Sequence, residues 1–327
     1  MRRRLEKNIM KQLPAEIKGK KVLVTGGAGF IGSHIVDSLS PENQVVVLDN
    51  LFTGSPANLA GSKDRIKFIN GDVRDKQLVK DIIADGIEFV FHLAAHANVI
   101  RSIADPYTDM DINIRGTLNV LEACRSSRVK RLVYVSSAAV YGEAKHLPID
   151  EEHPLNPESP YAVSKMTAEK YCLVYHKVFG VPAAVVRCFN IYGPRQNTGA
   201  YANAISIFLA KVKKDEPITI YGDGEQTRDF VFIGDAVAGI LLAATRPASV
   251  GGVFNIANGA ATSINRLVEI IHKTTGRQVQ VIHAAAKAGE IRHSFASIDR
   301  AVKALGYRPG TDLENGIAAT WRGLNKG

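Results

Sequence analysis

Thr25-Gly26-Gly27-Ala28-Gly29-Phe30-Ile31-Gly32-Ser33 is the stretch on which the reading of the fold turns. It follows the apolar run KVLVT at 21–25, which reads as a short buried strand, and opens a helical pattern reaching about Leu39. Gly27, Gly29 and Gly32 satisfy G-x-G-x-x-G, and Gly26, Gly29 and Gly32 satisfy G-x-x-G-x-x-G. Glycine serves here for a tight turn, for close backbone approach to a pyrophosphate, and for packing helix on strand. The helix that begins at Phe30 and Ile31 adds free amides and a partial positive charge, which suit phosphates.

Working outward, further apolar runs at 45–49, 66–70, 89–93, 132–136 and 184–188 alternate with helical patterns. Short Val/Ile/Leu runs bounded by helices indicate a parallel sheet buried on both faces, so the expected class is α/β, a doubly wound Rossmann sheet. Beyond Arg187 the alternation degrades. Helical stretches near 202–214, 235–245, 265–274 and 312–324 are separated by short strands and turn clusters such as Tyr221-Gly-Asp-Gly-Glu. The expected organisation is a basic tail at 1–17, a dinucleotide-binding domain at 18–187, and a smaller substrate-binding lobe at 188–327 with some chain returning to the sheet.

At 327 residues, 46% apolar and 22% charged, the composition is that of an ordinary globular chain. No run approaches the roughly 18 apolar residues that span a membrane, and the N-terminus lacks the apolar core of a signal peptide. A cytoplasmic location is expected. The formal charge of +9 is concentrated in the tail, where Arg2, Arg3, Arg4, Lys7, Lys11, Lys18, Lys20 and Lys21 outnumber Glu6 and Glu16. The body is only mildly basic, which suits a diphosphate and argues against a nucleic-acid partner. Cys124, Cys172 and Cys188 are odd in number and widely spaced, so neither a disulfide framework nor a metal site is expected.

Asp49 ends the second strand run, 20 residues after Gly29, where a carboxylate can accept hydrogen bonds from ribose hydroxyls. Asn50 follows it with no arginine alongside for a 2′-phosphate, which favours NAD over NADP. Asp72-Val73 and Leu93-Ala94-Ala95 place small or polar residues at the next strand ends, where the cofactor would pass. Downstream, Tyr161-Ala-Val-Ser-Lys165 opens a helical stretch, and i, i+4 spacing puts Tyr161 and Lys165 on one face. A phenol of ordinary pKa about 10 is a poor base at neutral pH. A nearby ammonium and a nicotinamide cation would both lower it. The Ser136-Ser137 pair at a strand end supplies a hydroxyl for a substrate oxygen.

The motifs TGGAGFIGS, LDNLFTG, GDVRD, FHLAA, SSAAVYGE, SPYAVSK, RCFNIYGPRQ and YGDGEQTRDFV, in that order, resemble the extended short-chain dehydrogenase/reductase family, specifically its nucleotide-sugar 4-epimerases. The resemblance runs from about Lys20 to Leu324. It implies that Tyr161 is the general acid/base on the sugar 4-hydroxyl, that Lys165 holds the nicotinamide ribose and lowers the Tyr161 pKa, and that Ser137 positions O4. It adds Thr53, Gly54 and Asn113 to the cofactor set, Asn113 steadying the site through its helix. Asn190 and Arg228 would face the substrate diphosphate, and the Tyr221-Gly222 backbone the uracil. The family's pairing helices correspond to 105–125 and 161–178, which implies a homodimer. The implied reaction is C4 oxidation by tightly held NAD, rotation of the 4-keto sugar, and hydride return to its other face.

Related dehydratases and decarboxylases resemble S-T-D-E-V-Y-G or S-T-S-E-V-Y-G where this chain has Ser136-Ser-Ala-Ala-Val-Tyr-Gly142. Eliminating water needs an acid and a base that Ala138 and Ala139 do not supply. Simple epimerisation of a UDP-hexose is therefore expected. The segment Gly289-Glu-Ile-Arg-His-Ser294 resembles the family's G-D-x-x-x-[S/C/Y], and the resemblance implies that Ser294 stands at a gate beside the sugar 2-substituent, so N-acetyl sugars are expected as substrates besides glucose and galactose. Lys287 and Glu290 replace the arginine and aspartate usual in relatives; Lys287 keeps the charge without the bidentate fork, and Arg292 would compensate. The alternatives are a UDP-glucuronate 4-epimerase, with Arg101 or Arg195 in a carboxylate pocket, a nucleotide-sugar reductase, which Asp49 opposes, and a noncatalytic NAD-binding sensor or scaffold.

Overall fold

In the computed structural model, which describes residues 15–197, 203–286 and 291–325, the apolar runs lie side by side in one parallel sheet. They form β1 (Lys21–Thr25), β2 (Gln44–Asp49), β3 (Ile66–Asn70), β4 (Phe89–His92), β5 (Arg131–Ser137) and β6 (Ala183–Cys188). The sheet has seven strands, ordered Val253–Ile256, β6, β5, β4, β1, β2, β3. Both neighbours of β1 pair with it in register, Leu23 lying against Val46 on one side and Val90 on the other.

Alternate residues of each strand face opposite layers. Val22 and Val24 pack with Ile35, Val36 and Leu39 of the Phe30–Leu39 helix and with Val237 and Ile240 of the Ile233–Thr245 helix. Leu23 faces the other way, into a core with Val79 and Ile83 of the Lys76–Ala84 helix, Val120 and Leu121 of the Gly116–Arg125 helix, and Cys172 of the Pro160–Phe179 helix. Each such side chain contributes about 1.5–3 kcal/mol on burial. This two-sided burial is the Rossmann arrangement expected from the unbroken apolar runs. At the sheet edge β3 exposes Lys67, as edge strands commonly do. The three cysteines are free and buried.

Two features differ from the expectations. Ile17, assigned with the tail, is fully buried in the larger core, so the folded chain begins before Lys18. The strand Val253–Ile256 and the helix Ile233–Thr245 both rejoin the main sheet, so more of the C-terminal chain returns to it than the alternation revealed.

The remaining segments form small sheets: β7 (Asn190–Tyr192) pairs with β10 (Phe230–Phe232), β8 (Ile218–Tyr221) with β13 (Val281–Ala284), and β9 (Thr227–Arg228) lies between β12 (Thr262–Ser263) and β14 (His293–Ser294). The main-sheet strand Val253–Ile256 is β11 in this order. Among the described residues no helix is long and apolar enough to cross a membrane.

Candidate active site

After β1 the chain runs to β2 and β3 on one side and then crosses to β4 on the other. In such sheets ligands bind where the order reverses, outside the carboxyl ends of the strands. A cleft of about 350 Å³ opens there.

Its floor is the glycine turn. A Cβ on Gly32 would lie 2.2 Å from the Gly26 carbonyl oxygen, and one on Gly26 would lie 2.8 Å from the Ala94 amide nitrogen. Gly26 also has φ +69°, a left-handed conformation that favours glycine. The turn thus closes on itself and on the end of β4, and Gly29, Phe30 and Ile31 bring the start of the first helix to the cleft. Asp49 reaches under the turn: its carboxylate accepts from the amides of Ala28 at 2.9 Å and Leu51 at 2.8 Å. Burial raises the Asp49 pKa against the pull of those two bonds. A carboxylate has about four acceptor positions, so lone pairs remain for ribose hydroxyls.

Asn50, Thr53, Asp72 and Val73 line the same end, with Leu93, Ala94 and Ala95 passing along the middle. Gly54 supports this end from behind, a Cβ there being 3.0 Å from Asp49 Oδ1. The Asp72 carboxylate is held down to about 2, chiefly by its hydrogen bonds from Arg74, and also accepts from Asn50 Nδ2 at 2.9 Å.

At the other end Ser137, Tyr161 and Lys165 meet. Ser137 ends β5 and caps the turn Ala138–Tyr141, accepting from the Ala139 amide at 3.2 Å. Tyr161 is placed by a strong helix start: the Ser159 hydroxyl accepts from the Ala162 amide, Pro160 occupies the first turn, and the Ser102 hydroxyl accepts from the Tyr161 amide at 3.1 Å. Lys165, buried one turn on, donates to the Val135 carbonyl at 2.5 Å. Burial pulls its ammonium down to about 8.

The Tyr161 phenol does not behave as expected from its neighbours. Burial pushes it up to about 12, and the hydrogen bond with Ser137 only partly opposes this. The Lys165 ammonium, one of whose protons goes to the Val135 carbonyl, is not among the groups that lower the phenol.

One contact here, between Thr25 and His92, escaped sequence reasoning. Thr25 and His92 end β1 and β4 opposite each other, and their side chains meet at 2.7 Å. The Thr25 hydroxyl accepts from the Leu93 and Ala94 amides, so it donates to His92 Nδ1; His92 Nε2–H then donates to Thr117, whose hydroxyl donates to the Asn113 carbonyl. Burial, seconded by Lys165, holds His92 neutral with its pKa at about 3. The signal was an apolar strand run ending in a polar residue, KVLVT and FVFH. Ser136 Oγ is buried, lines the cleft and has no protein partner. Arg195 also lines it, in an ion pair with Asp37.

Other expected residues lie elsewhere. Asn113 does not line the cleft: it is buried behind the wall, where its amide is spent on the His96 backbone, Asp109 and Ser164, the neighbour of Lys165. The role of steadying the site suits this place, and direct contact with cofactor does not. Asn190, Tyr221, Arg228, Arg292 and Ser294 also stand outside the cleft lining, although Ser294 and Arg228 are paired across β14 and β9. The Asn190 amide donates to the Asp229 carbonyl. Arg292 makes a bidentate pair with Asp223 at 2.8 and 2.7 Å, so its guanidinium braces the 221–228 turn instead of standing ready for a phosphate. Lys287 lies outside the described residues. The buried Asp229, missed from sequence, gathers the amides of Asn258, Gly259 and Ala296 beneath this region.

The glycine cradle, the carboxylate at the end of β2 and the orphaned Ser136 hydroxyl fit a dinucleotide, and the Ser–Tyr–Lys trio stands where its reactive end would lie. The fold and site define an NAD-dependent enzyme of the short-chain dehydrogenase/reductase type. Residues 22–257 match the NAD dependent epimerase/dehydratase family, and the chain belongs to it. A putative UDP-glucose 4-epimerase of Methanocaldococcus jannaschii is 43% identical over 298 residues, 90% of this chain and 95% of its own. Among solved structures, a UDP-N-acetylglucosamine 4-epimerase of Methanobrevibacter ruminantium, in complex with UDP-N-acetylmuramic acid, superposes with a TM-score of 0.91 at 36% identity, over 94% of this chain and 99% of that one. A UDP-glucose 4-epimerase of Thermotoga maritima with UDP-glucose gives 0.89 at 35%, over the same shares.

Proposed function

We propose that the protein is a UDP-hexose 4-epimerase that interconverts UDP-glucose with UDP-galactose and UDP-N-acetylglucosamine with UDP-N-acetylgalactosamine. The observation that carries this reading is the chemistry beside Tyr161. Among the described lining residues the only carboxylates are Asp49, which ends β2, and Asp72, just past β3. Ala138 and Ala139 follow Ser137 without an acid or base, so a site able to move one proton at O4 has nothing with which to expel water.

Bound NAD supplies a hydride acceptor that also returns the hydride. Tyr161 Oη takes the 4-hydroxyl proton as C4 is oxidised and gives it back on reduction. Ser137 holds O4 in line with that phenol. Lys165 secures the nicotinamide ribose from the same helix face. In this reading the residues of β7, β9 and β14 receive the nucleotide-sugar part, with Arg228 and Asn190 toward the diphosphate and Ser294 beside the 2-substituent. Of the two cations weighed for a glucuronate pocket, Arg101 stands over the Phe52 ring at 5.7 Å, and Arg195 lines the cleft beside Asp37, with which it is paired.

Turnover of the four UDP-sugars by the parent and by Ser294→Tyr tests the substrate range. The tyrosine is expected to lower kcat/KM for the N-acetyl pair by about 10–200-fold while UDP-galactose keeps its rate. Turnover of UDP-galactose by the parent, with none of UDP-N-acetylgalactosamine, contradicts the wider range.

A homodimer belongs to the same reading. Ile100, Ile103 and Tyr107 are 75%, 62% and 80% exposed on the short helices Val99–Ala104 and Pro106–Met110. These helices pack beside the Pro160–Phe179 helix, which exposes Val163, Tyr171, Val174 and Val178. Exposed apolar side chains gathered on adjoining helices suit an interaction surface. Val174→Asp with Val178→Asp should convert a dimer to a monomer by light scattering; a parent that is already monomeric contradicts the assignment.

A further inference from the structure

Two residues of the strongest motifs take no part in the reaction above: Tyr141 of SSAAVYG and Arg187 of RCFN. Both are buried, at 0% and 3% exposure, and neither lines the cleft. We propose that Arg187 is a positioning residue that fixes the separation of the two elements carrying Ser137 and Tyr161, an inference that rests on the epimerase reading.

The contacts of its guanidinium divide between those elements. Nε donates to Glu169 Oε2 at 3.0 Å, and Nη2 donates to Glu169 Oε1. Glu169 is fully buried on the Pro160–Phe179 helix, one turn past Lys165 and two past Tyr161, so all three share a side of the helix. Nη1 turns the other way, donating to Tyr141 Oη at 2.9 Å and to the Glu151 carbonyl at 3.2 Å. Tyr141 ends the turn that Ser137 caps. Its hydroxyl donates onward to Asn255 Oδ1 at 2.7 Å, and the Asn255 amide donates to Glu151 Oε1 at 2.7 Å, which ties the turn to β11. One rigid, planar group on β6 therefore spans from the helix of Tyr161 and Lys165 to the turn of Ser137.

A buried ion pair is weak evidence for stability, because desolvation offsets its attraction. What it supplies here is geometry. A guanidinium offers donors in a fixed fork, whereas an ammonium keeps the charge and loses the fork. Charge balance alone would be satisfied by lysine; a fixed distance would not.

The test uses the full chain carrying its cofactor, in two variants. Arg187→Lys keeps the charge, and the double variant Arg187→Met with Glu169→Met removes both charges at similar volume, so no carboxylate is left buried alone. Both are expected to stay folded with NAD retained, and to lose kcat by about 10²-fold with KM little changed, as for a misplacement of about 1 Å between reacting groups. An activity-independent readout is the ring-carbon NMR signal of Tyr161, assigned with Tyr161→Phe. It should move in Arg187→Lys in the direction it moves in Ser137→Ala. Folded variants with kcat within twofold of the parent, or an unmoved Tyr161 signal, overturn the proposal. If the parent turns over none of the UDP-sugars the epimerase reading fails, and the Tyr161 signal still decides whether Arg187 sets this geometry.

Discussion

Tyr161→Phe is expected to lower kcat by about 10³-fold, within the range that one positioned acid/base contributes, while KM and retained NAD stay near the parent values. The substitution removes a single oxygen. The ring stays where Ser159, Pro160 and the Ser102 hydroxyl set the start of the helix, none of which bonds the phenol. The lost hydrogen bond with Ser137 costs about 1 kcal/mol of stability at most, because a buried polar group is removed with it. A variant that keeps kcat within tenfold would show that another group moves the proton.

The same phenol gives a pH prediction with a definite sign. In the protein alone burial places its pKa at about 12, so it is protonated at neutral pH. A nicotinamide cation beside it favours the phenolate and lowers that value. By linkage, binding of oxidised NAD releases a proton and tightens as pH rises between the lowered value and about 12; reduced NAD, without the cation, lacks this dependence. Phenolate absorbance of the parent minus that of Tyr161→Phe, with and without NAD, measures it. Equal titrations in both states would contradict the assignment.

Gly32→Ala carries the second large effect. Its methyl group would lie 2.2 Å from the Gly26 carbonyl oxygen and 2.8 Å from Gly27 Cα, and these backbone atoms cannot rotate aside. The turn must lift from the helix, at about 1–3 kcal/mol of stability, and the phosphate cradle opens. NAD per purified chain should fall at least about tenfold, a loss of about 1.4 kcal/mol in binding. Gly310→Ala meets nothing within 4 Å and serves as a control. Undiminished NAD in Gly32→Ala would place the cofactor elsewhere.

What could be read from sequence was local. The glycine turn, Asp49 and the Tyr161–Lys165 spacing each follow from residues within one strand–turn–helix unit, and each reaches the cleft. The strands β1, β2, β4, β5 and β6 were legible because both their faces are buried, which leaves an unbroken apolar run; the edge strand β3, none of whose residues is buried, was legible from its place in the alternation of strand and helix. The strand Val253–Ile256 was not, since it is four residues long and carries a buried Asn255 whose side chain serves Tyr141. Contacts between distant residues were equally hidden: Thr25 with His92, and Arg187 with Glu169 and Tyr141. In the C-terminal segments, where strands of two to four residues join irregular chain, the sequence supplied residue types without directions. Arg292 has the charge expected of a phosphate ligand, yet its fork closes on Asp223.

The most direct measurement incubates the purified protein, without added NAD, with UDP-galactose and with UDP-N-acetylglucosamine, and follows the anomeric protons by NMR. Appearance of UDP-glucose and UDP-N-acetylgalactosamine, with no net change in the oxidation state of the sugar, is the expected result. Loss of water to a 4-keto-6-deoxy sugar would contradict the account, as would no reaction after NAD is supplied.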